Sequence, residues 1–309
     1  MLRVWFLHAT GRMLRIQMLT VCFDASGKTP STTTKRRGKS GEPDSPVLAV
    51  AGFASQAGVW AEFDYHWESV LLRYRAAYFH AAELAYDRGA YKDGWKGEKQ
   101  KKDDFQGELM EVIENCGLRK FGNVLWTEDQ NKVKSSKGLS ADATATPYVL
   151  CARASVDDFI AYAIGEGQLE NIEYVFEKGD EEHTLRQHFK KHSYQEPIFR
   201  WKHPVELKGI VQKPFMGLQA AGWIVWEYYM SLKRVFDERN SAYPYPPERW
   251  ALKRFDDHRH VPGNVIVLYK SAPFLHLLKN HAASFVDLSK SVAEATARIE
   301  SAKKGIIKA

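Results

Sequence analysis

The chain has 309 residues, of which 44% are hydrophobic and 27% are charged. These proportions are typical of a globular protein, and they exclude a mostly disordered chain, a collagen-like chain and a small disulfide scaffold. The formal net charge is +6 at pH 7, a balance that makes a nucleic-acid partner worth testing for.

The positive charge is concentrated in three stretches. Residues 1–23 carry +3, residues 28–40 carry +5 and residues 301–309 carry +3, so that the rest of the chain carries −5. The basic residues of the middle stretch are Lys28, Lys35, Arg36, Arg37 and Lys39. If a polyanion binds, we expect this stretch to hold it, because contacts with phosphates come mainly from lysine and arginine.

Cysteine usage and hydropathy predict the compartment. The three cysteines, Cys22, Cys116 and Cys151, are odd in number and form no C-x-x-C pair, which favours a reducing compartment such as the cytoplasm. No stretch approaches 18 uninterrupted apolar residues, so no membrane span is expected. Residues 1–17 are interpreted as an extension before a natural start at Met18, and we expect the chain to fold without them.

The periodicity of apolar residues and the turn signals predict alternating strands and helices. The first half is predicted to hold a strand at 19–24, a basic loop at 28–46, a strand at 47–54, a helix at 59–75, a strand at 76–80, a helix at 103–116 and a strand at 118–126. The second half is predicted to hold a helix at 146–164, a strand at 172–177, a helix from Asp180 to His192, an edge strand at 198–202, a helix at 215–237, a strand at 265–269 and a helix at 281–303. This order predicts a mixed-sheet α/β domain at 18–237 and a smaller C-terminal appendage at 238–309.

Two carboxylates stand at the ends of predicted strands. Asp24 ends the first strand of the predicted domain, and Glu177 ends the strand IEYVFE. In α/β sheets, functional groups gather beyond the carboxyl ends of strands, and hard oxygen ligands suit Mg²⁺ or Mn²⁺. The alternative from the residues alone is that each acid caps a helix or sits in a loop.

The same residues begin a series of motifs that resembles a known family. FDASGK at 23–28, VAGF at 50–53 with W-x-x-F-x-x-x-W at 60–67, FHAAE at 79–83, TPY at 146–148, YVFEKGD at 174–180 and LQAA at 218–221 follow one another in the order of domain of unknown function 3800, a bacterial and phage family. The resemblance covers roughly residues 18–230, and its specificity comes from the order of the motifs.

The resemblance implies a ribonuclease-H-like fold, with a mixed sheet flanked by helices, and a metal-dependent nuclease or phosphodiesterase. In such folds, acids from the first strand, a later central strand and a C-terminal helix hold two Mg²⁺ or Mn²⁺ ions for phosphodiester cleavage. On this basis the metal ligands are Asp24 and Glu177, and the further catalytic candidates are His80, Glu83 and Asp180. The candidate contacts to a DNA or RNA substrate are Ser26, Lys28, Lys35, Arg36, Arg37 and Gln219.

One departure from the family pattern supports a second hypothesis. Gly222 stands where the family helix places Asp, and the positions that share its helix face carry no acid. A glycine inside a helix costs about 1 kcal/mol relative to alanine, which close packing by Trp223 and Trp226 would offset. The alternative function is therefore a non-catalytic module that binds nucleic acid or protein, in a mobile-element or defence setting.

Two histidine-containing patterns are interpreted without a metal. His188 and His192 are spaced i, i+4 and are geometrically able to share an ion, but their polar surroundings favour a solvated helix face. The string DDHRH at 256–260 lies between helix breakers and is interpreted as a loop.

Overall fold

The computed structural model describes residues 5–7, 13–15, 18–27, 47–126, 146–166, 172–179, 181–207, 209–239, 250–256 and 263–268. Predictions for other segments lie outside the described residues: the stretch 28–46, Asp180, most of the string at 256–260 and the helix at 281–303.

The elements of the first half, in chain order, are β1 (Trp5–Leu7), β2 (Met13–Arg15), β3 (Leu19–Ser26), β4 (Val47–Gln56), α1 (Ala57–Tyr74), α2 (Ala81–Ala85), a 3-10 turn (Gly89–Tyr91), α3 (Lys99–Asn115) and β5 (Arg119–Trp126). Those of the second half are α4 (Pro147–Gly165), β6 (Ile172–Glu177), α5 (Glu182–Lys191), β7 (Ile198–Arg200), β8 (Val205–Leu207), β9 (Ile210–Gln212), α6 (Met216–Arg239), α7 (Trp250–Asp256) and β10 (Gly263–Leu268).

Six strands form one mixed sheet in the order β10-β5-β4-β3-β6-β7. β4 runs antiparallel to both of its neighbours, β3 and β5, whereas the pairs β3–β6, β6–β7 and β5–β10 are parallel. β3 occupies the interior of the sheet, and its residues 19–24 are all buried, as the continuous apolar run of the sequence predicts. The expected mixed α/β sheet flanked by helices is confirmed at this level.

Each face of the sheet is covered by its own hydrophobic cluster. One cluster joins β4 and β5 to α1, α3, α6 and α7, and the other joins β3 and β5 to α4 and α5. Side chains alternate between the faces along a strand, so Phe23 packs in the second cluster while Cys22 packs in the first. Asp24, two residues after Cys22, therefore points to the face that α6 covers.

The five longest described helices, α1, α3, α4, α5 and α6, begin and end within four residues of their predicted positions, whereas α2 and α7 are not predicted by the sequence. α1 buries Trp60, Phe63 and Trp67 on one side, at the spacing of three and four residues that predicted an amphipathic helix. α4 begins with Pro147 at its first turn, and the side chain of Thr146 accepts a hydrogen bond from the amide of Val149, as expected of an N-cap followed by proline.

The strand predicted at 76–80 is wrong, because these residues form no strand in the described structure. The amide of Phe79 donates to the side chain of Gln219 at 2.8 Å instead of to a neighbouring strand. The apolar run is explained by burial, since Phe79 contacts Trp67, Phe105 and Trp223 in an aromatic cluster. The apolar composition of residues 76–80 therefore indicates that the segment contains buried side chains, but it does not indicate a strand.

The strand predicted at 265–269 is observed as β10, at 263–268, and it extends the main sheet. It pairs in parallel with β5 over six residues, and α7 packs Ala251, Leu252 and Phe255 into the cluster of the main domain. These residues, expected in a smaller appendage, thus share the sheet and the core of the domain. Among the described residues, no helix is both long and apolar enough to cross a membrane.

Candidate functional site at the carboxyl ends of β3 and β6

Asp24 lies near the carboxyl end of β3 and is only 3% exposed. Its Oδ1 accepts a hydrogen bond from the amide of Ala25 at 2.7 Å. The other oxygen, Oδ2, points toward α6. A carboxylate buried to this degree requires hydrogen bonds or an opposite charge, because the loss of hydration is otherwise too costly.

Glu177 is the last residue of β6, which lies beside β3. Phe23 and Phe176 are partners in the parallel register, so the next residue along each strand, Asp24 and Glu177 respectively, lies at the same edge of the sheet. Residues in register on neighbouring strands point to the same face. The sequence argument placed these two acids together, and the structure does so as well.

Lys202 joins the two carboxylates. Its Nζ lies 2.6 Å from Asp24 Oδ2 and 3.0 Å from Glu177 Oε2, and its side chain is only 8% exposed. Lys202 follows β7 after one intervening residue, at the position where the sequence predicted the end of an edge strand. Sequence reasoning missed it, because a single lysine after a short edge strand carries no motif.

The pKa values of the three groups are shifted in the directions that this geometry requires. Burial alone would raise the pKa of Asp24, but the charge and hydrogen bond of Lys202, together with hydrogen bonds from Glu177 and the amide of Ala25, hold that pKa below its usual value. Burial and the nearby Asp24 carboxylate raise the pKa of Glu177. Burial opposes the charge of Lys202, yet the two carboxylates raise its pKa. Lys202 and Asp24 therefore form a charged pair at neutral pH.

Gly222 on α6 faces this group of charges. A Cβ built on it would lie 2.7 Å from Asp24 Oδ2 and 3.2 Å from Lys202 Cδ. The expectation that Trp223 and Trp226 press against Gly222 is therefore incomplete, since the atoms nearest its missing side chain belong to Asp24 and Lys202. The absence of a side chain at 222 leaves the space in which Lys202 reaches Asp24.

Gln219 sits one turn before Gly222 and is 1% exposed. Its Oε1 accepts from Trp67 Nε1 at 3.0 Å and from the amide of Phe79 at 2.8 Å, and its Nε2 donates to the carbonyl of Lys202 at 3.2 Å. Both ends of the amide are thus engaged with the protein. The sequence suggests Gln219 as a substrate contact, but in the structure it is buried and its hydrogen bond holds the segment that carries Lys202 against α6.

A second cluster of polar side chains adjoins the three charges. His80 Nδ1 lies 3.3 Å from Glu83 Oε1, and the hydroxyl of Tyr78 donates to Glu83 Oε2 at 2.7 Å. The ring of His203 lies 4.9 Å from that of His80 and 4.5 Å from that of Tyr78, between centroids. His80 and Glu83, both candidates from the sequence, are therefore close to each other and beside the site, whereas His203 was not anticipated.

Gly89 provides the space for Glu83. It has a φ of +53°, and a Cβ there would fall 1.9 Å from Glu83 Oε2. Both the left-handed backbone and the close approach favour glycine at this position. The local sequence thus fixes the carboxylate of Glu83 against Tyr78 and His80.

We expect His203 to stay neutral well below pH 6. Burial, Lys202 and His80 lower its pKa to about 4. In the unfolded chain His203 binds a proton near pH 6.5, whereas in the folded chain it does so only near pH 4. The free energy of unfolding should therefore fall as the pH drops from 6.5 toward 4. His203→Asn should remove this part of the pH dependence in urea titrations.

The exposed residue His66 provides the matched control, since its side chain is 50% exposed. His66→Asn should retain the fall in the free energy of unfolding below pH 6.5, because it leaves His203 in place. An imidazole proton resonance of His203 that titrates near pH 6.5 in the folded protein would contradict the expectation.

The remaining candidates from the sequence divide into three groups. Ser26 is half-buried at the end of β3 and two residues from Asp24. Asp180, Lys28, Lys35, Arg36 and Arg37 lie outside the described residues. His188 and His192 stack at 4.4 Å between ring centroids and are partly buried, so their helix face is less solvated than the sequence suggested.

Comparisons of the chain with protein-family models, with curated proteins and with solved structures found no match. The site must therefore be interpreted from its own geometry.

The described residues at this site do not fit the two-metal centre that the resemblance implies. Lys202 Nζ binds one oxygen of Asp24 and one of Glu177, and Gly222 contributes no ligand. A divalent ion beside the ammonium would meet a like charge in a poorly solvated place. Across the described residues, no group of three or more His, Cys, Asp or Glu side chains is arranged to hold a metal.

Proposed function

We propose that the protein is a ribonuclease-H-like module that binds nucleic acid and does not use Asp24 and Glu177 for metal-dependent hydrolysis. The observation that carries this proposal is the bond of Lys202 Nζ to both carboxylates, at 2.6 and 3.0 Å. The lysine pairs with the acids that a nuclease of this kind would use to hold its ions. Asp24, Glu177 and Lys202 serve in this proposal to fix the carboxyl edge of the sheet.

The fold part of the proposal is supported by the arrangement of the elements. A mixed sheet has an acid near the end of its first domain strand, β3, and another at the end of its neighbour β6, and a long helix, α6, crosses them at Gly222. These are the positions at which the resemblance expects the three acids of a ribonuclease-H-like site. The third position is the one that has changed.

The nucleic-acid part of the proposal is supported by the charge distribution. The stretch 28–40 carries +5 and follows β3 directly, so its first residue is four positions from Asp24. Because Lys202 is hydrogen-bonded to two acids, it is not available to a phosphate. The contacts with a polyanion must therefore be made by other basic residues. Lys35, Arg36, Arg37 and Lys39 are the residues that we assign to it.

The cellular compartment that we propose is a reducing cytoplasm. The cysteines are all free, and Cys22 and Cys151 are buried, which suits a reducing cytoplasm. A role in a bacterial mobile-element or defence system follows from the resemblance alone.

We expect labelled single-stranded DNA, duplex DNA or RNA to bind in EDTA, without any need for Mg²⁺ or Mn²⁺, and to remain uncleaved when either ion is added. Fluorescence anisotropy and gel analysis of the same samples measure both quantities. Cleavage that requires Mn²⁺ and disappears in Asp24→Asn would overturn the proposal in favour of the metal-dependent nuclease. Failure to bind any of the three nucleic acids would also overturn it.

Replacing Lys35, Arg36, Arg37 and Lys39 with Gln should weaken binding and flatten its salt dependence. Loss of four phosphate contacts reduces the slope of log K against log salt by about 3 to 4. Lys190→Gln with Lys191→Gln is the control, because both lysines are exposed on α5 and lie outside the assigned stretch. An unchanged slope in the fourfold variant would count against the assignment.

A further inference from the structure

The ammonium of Lys202 stands where an ion bridging the two acids would stand. It lies within 3.0 Å of one oxygen from each carboxylate, Asp24 Oδ2 and Glu177 Oε2. The side chains of Lys202 and Asp24 are 8% and 2% exposed. A cation in so dry a place interacts strongly with its carboxylate partners and is not easily exchanged for one from solvent.

The main chain around Lys202 is held firmly enough to keep the ammonium there. The carbonyl of Lys202 accepts from Gln219 Nε2 at 3.2 Å, and the carbonyl of Trp201 accepts from the amide of Phe215 at 2.8 Å. On the other side, the carbonyl of Arg200 accepts from the amide of Lys178 at 2.8 Å. Lys202 is therefore anchored both to α6 and to the end of β6, the strand that supplies Glu177.

Gly222 and Lys202 depend on each other. A Cβ at 222 would lie 2.7 Å from Asp24 Oδ2, closer than real Cβ contacts, and 3.5 Å from Lys202 Nζ. Any longer side chain at 222 would have to enter the volume that the lysine now fills. Glycine is a poor helix former, and the room it gives to the Asp24 carboxylate and to Lys202 beside it accounts for its presence.

We infer that Lys202 is a tethered cation that has taken the place of a divalent ion, and that Gly222 is the compensating change that admits it. This inference rests on the proposed function, because it explains how the acids persist without a metal. It predicts that the pair can be reversed: removing the lysine and supplying a carboxylate from position 222 should create a Mn²⁺ site.

The test compares Mn²⁺ binding by wild-type protein and by the double variant Lys202→Ala/Gly222→Asp. Electron paramagnetic resonance of Mn²⁺ and titration calorimetry report binding, and thermal unfolding reports stability. We expect no stoichiometric binding by wild type and one tightly bound ion in the double variant. At an ion concentration of about 100 times Kd, the unfolding midpoint of the double variant should rise by roughly 5 to 10 °C.

The control is Lys202→Ala/Gly222→Asn, which has nearly the same shape but lacks the third negative charge. It should bind Mn²⁺ at least tenfold more weakly. If the double variant is unfolded alone and folds when Mn²⁺ is added, the inference is supported, because the ion then replaces the lysine directly.

Three results would overturn the inference. They are stoichiometric Mn²⁺ binding by wild type that Asp24→Asn abolishes, a folded double variant that binds no Mn²⁺, and a double variant that stays unfolded even in millimolar Mn²⁺. Binding of nucleic acid by wild type in EDTA is measured separately. Failure of the inference and failure of the proposed function are therefore distinguishable.

Discussion

Lys202→Met should lower the free energy of unfolding by about 3–5 kcal/mol, the usual cost of removing one partner from a buried ion pair. Methionine keeps most of the length and apolar contact of the lysine stem, so the loss of stability measures the contribution of the ammonium group. Asp24, at 3% exposure, would remain in a dry place beside Glu177 with no cation between them. Urea unfolding followed by tryptophan fluorescence measures the difference.

The loss should depend on pH in a definite direction. In both proteins the pKa of Glu177 is raised, so its protonation does not distinguish them. Without Lys202, burial is no longer offset at Asp24, and this second acid also takes up a proton more readily in the folded variant than in the unfolded chain. An acid whose folded pKa is raised stabilises the fold at low pH and loses that contribution as the pH rises through the folded pKa. The gap between wild type and variant should therefore narrow as the pH falls from 8 to 5.

Lys213→Met is the matched control for this experiment. Lys213 also pairs with a glutamate, Glu68, at 3.0 Å, but its side chain is 67% exposed. Its replacement should change stability by no more than about 1 kcal/mol. Equal effects of the two substitutions would mean that burial does not make the Lys202 interaction special, contrary to our account.

Gln219→Leu should cost about 2–6 kcal/mol, because it leaves two buried donors, Trp67 Nε1 and the amide of Phe79, without their acceptor. Leucine is similar in size, so the cavity contribution is small and the lost hydrogen bonds dominate. The variant also releases the carbonyl of Lys202 from α6. Urea unfolding gives the stability loss.

Gln100→Leu provides the comparison, since Gln100 is exposed on α3 and bonds only locally, to Asp104. Its effect should stay within about 0.5 kcal/mol. If Gln219→Leu were equally mild, the buried hydrogen bonds of Gln219 would not be important for stability, and a role for Gln219 in substrate binding would have to be reconsidered.

The sequence predicted the meeting of Asp24 and Glu177 because the rule behind it is geometric. Both residues end buried apolar runs, and parallel strands bring their carboxyl ends to one edge. The sheet class and most helices followed from periodicity for the same reason, since burial leaves a regular pattern. The strand expected at 76–80 failed where a side chain, that of Gln219, took over a hydrogen bond that strand pairing would have satisfied.

Lys202 and His203 could not be found in this way. They come from a short segment after an edge strand of three residues, and their partners lie far away in the chain. The position of Gly222 was recognised as a departure, but the sequence could not tell what fills the space it leaves. That question needs three elements, β3, the segment after β7 and α6, to be placed together.

The pairing of β10 with β5 has a consequence for synthesis of the chain on the ribosome. The two strands are separated by roughly 140 residues, a distance at which contacts form slowly. Until β10 emerges, one edge of β5 presents unpaired backbone groups that can template the wrong partner. The growing polypeptide therefore carries an unprotected sheet edge from the time β5 is made until β10 has been synthesised.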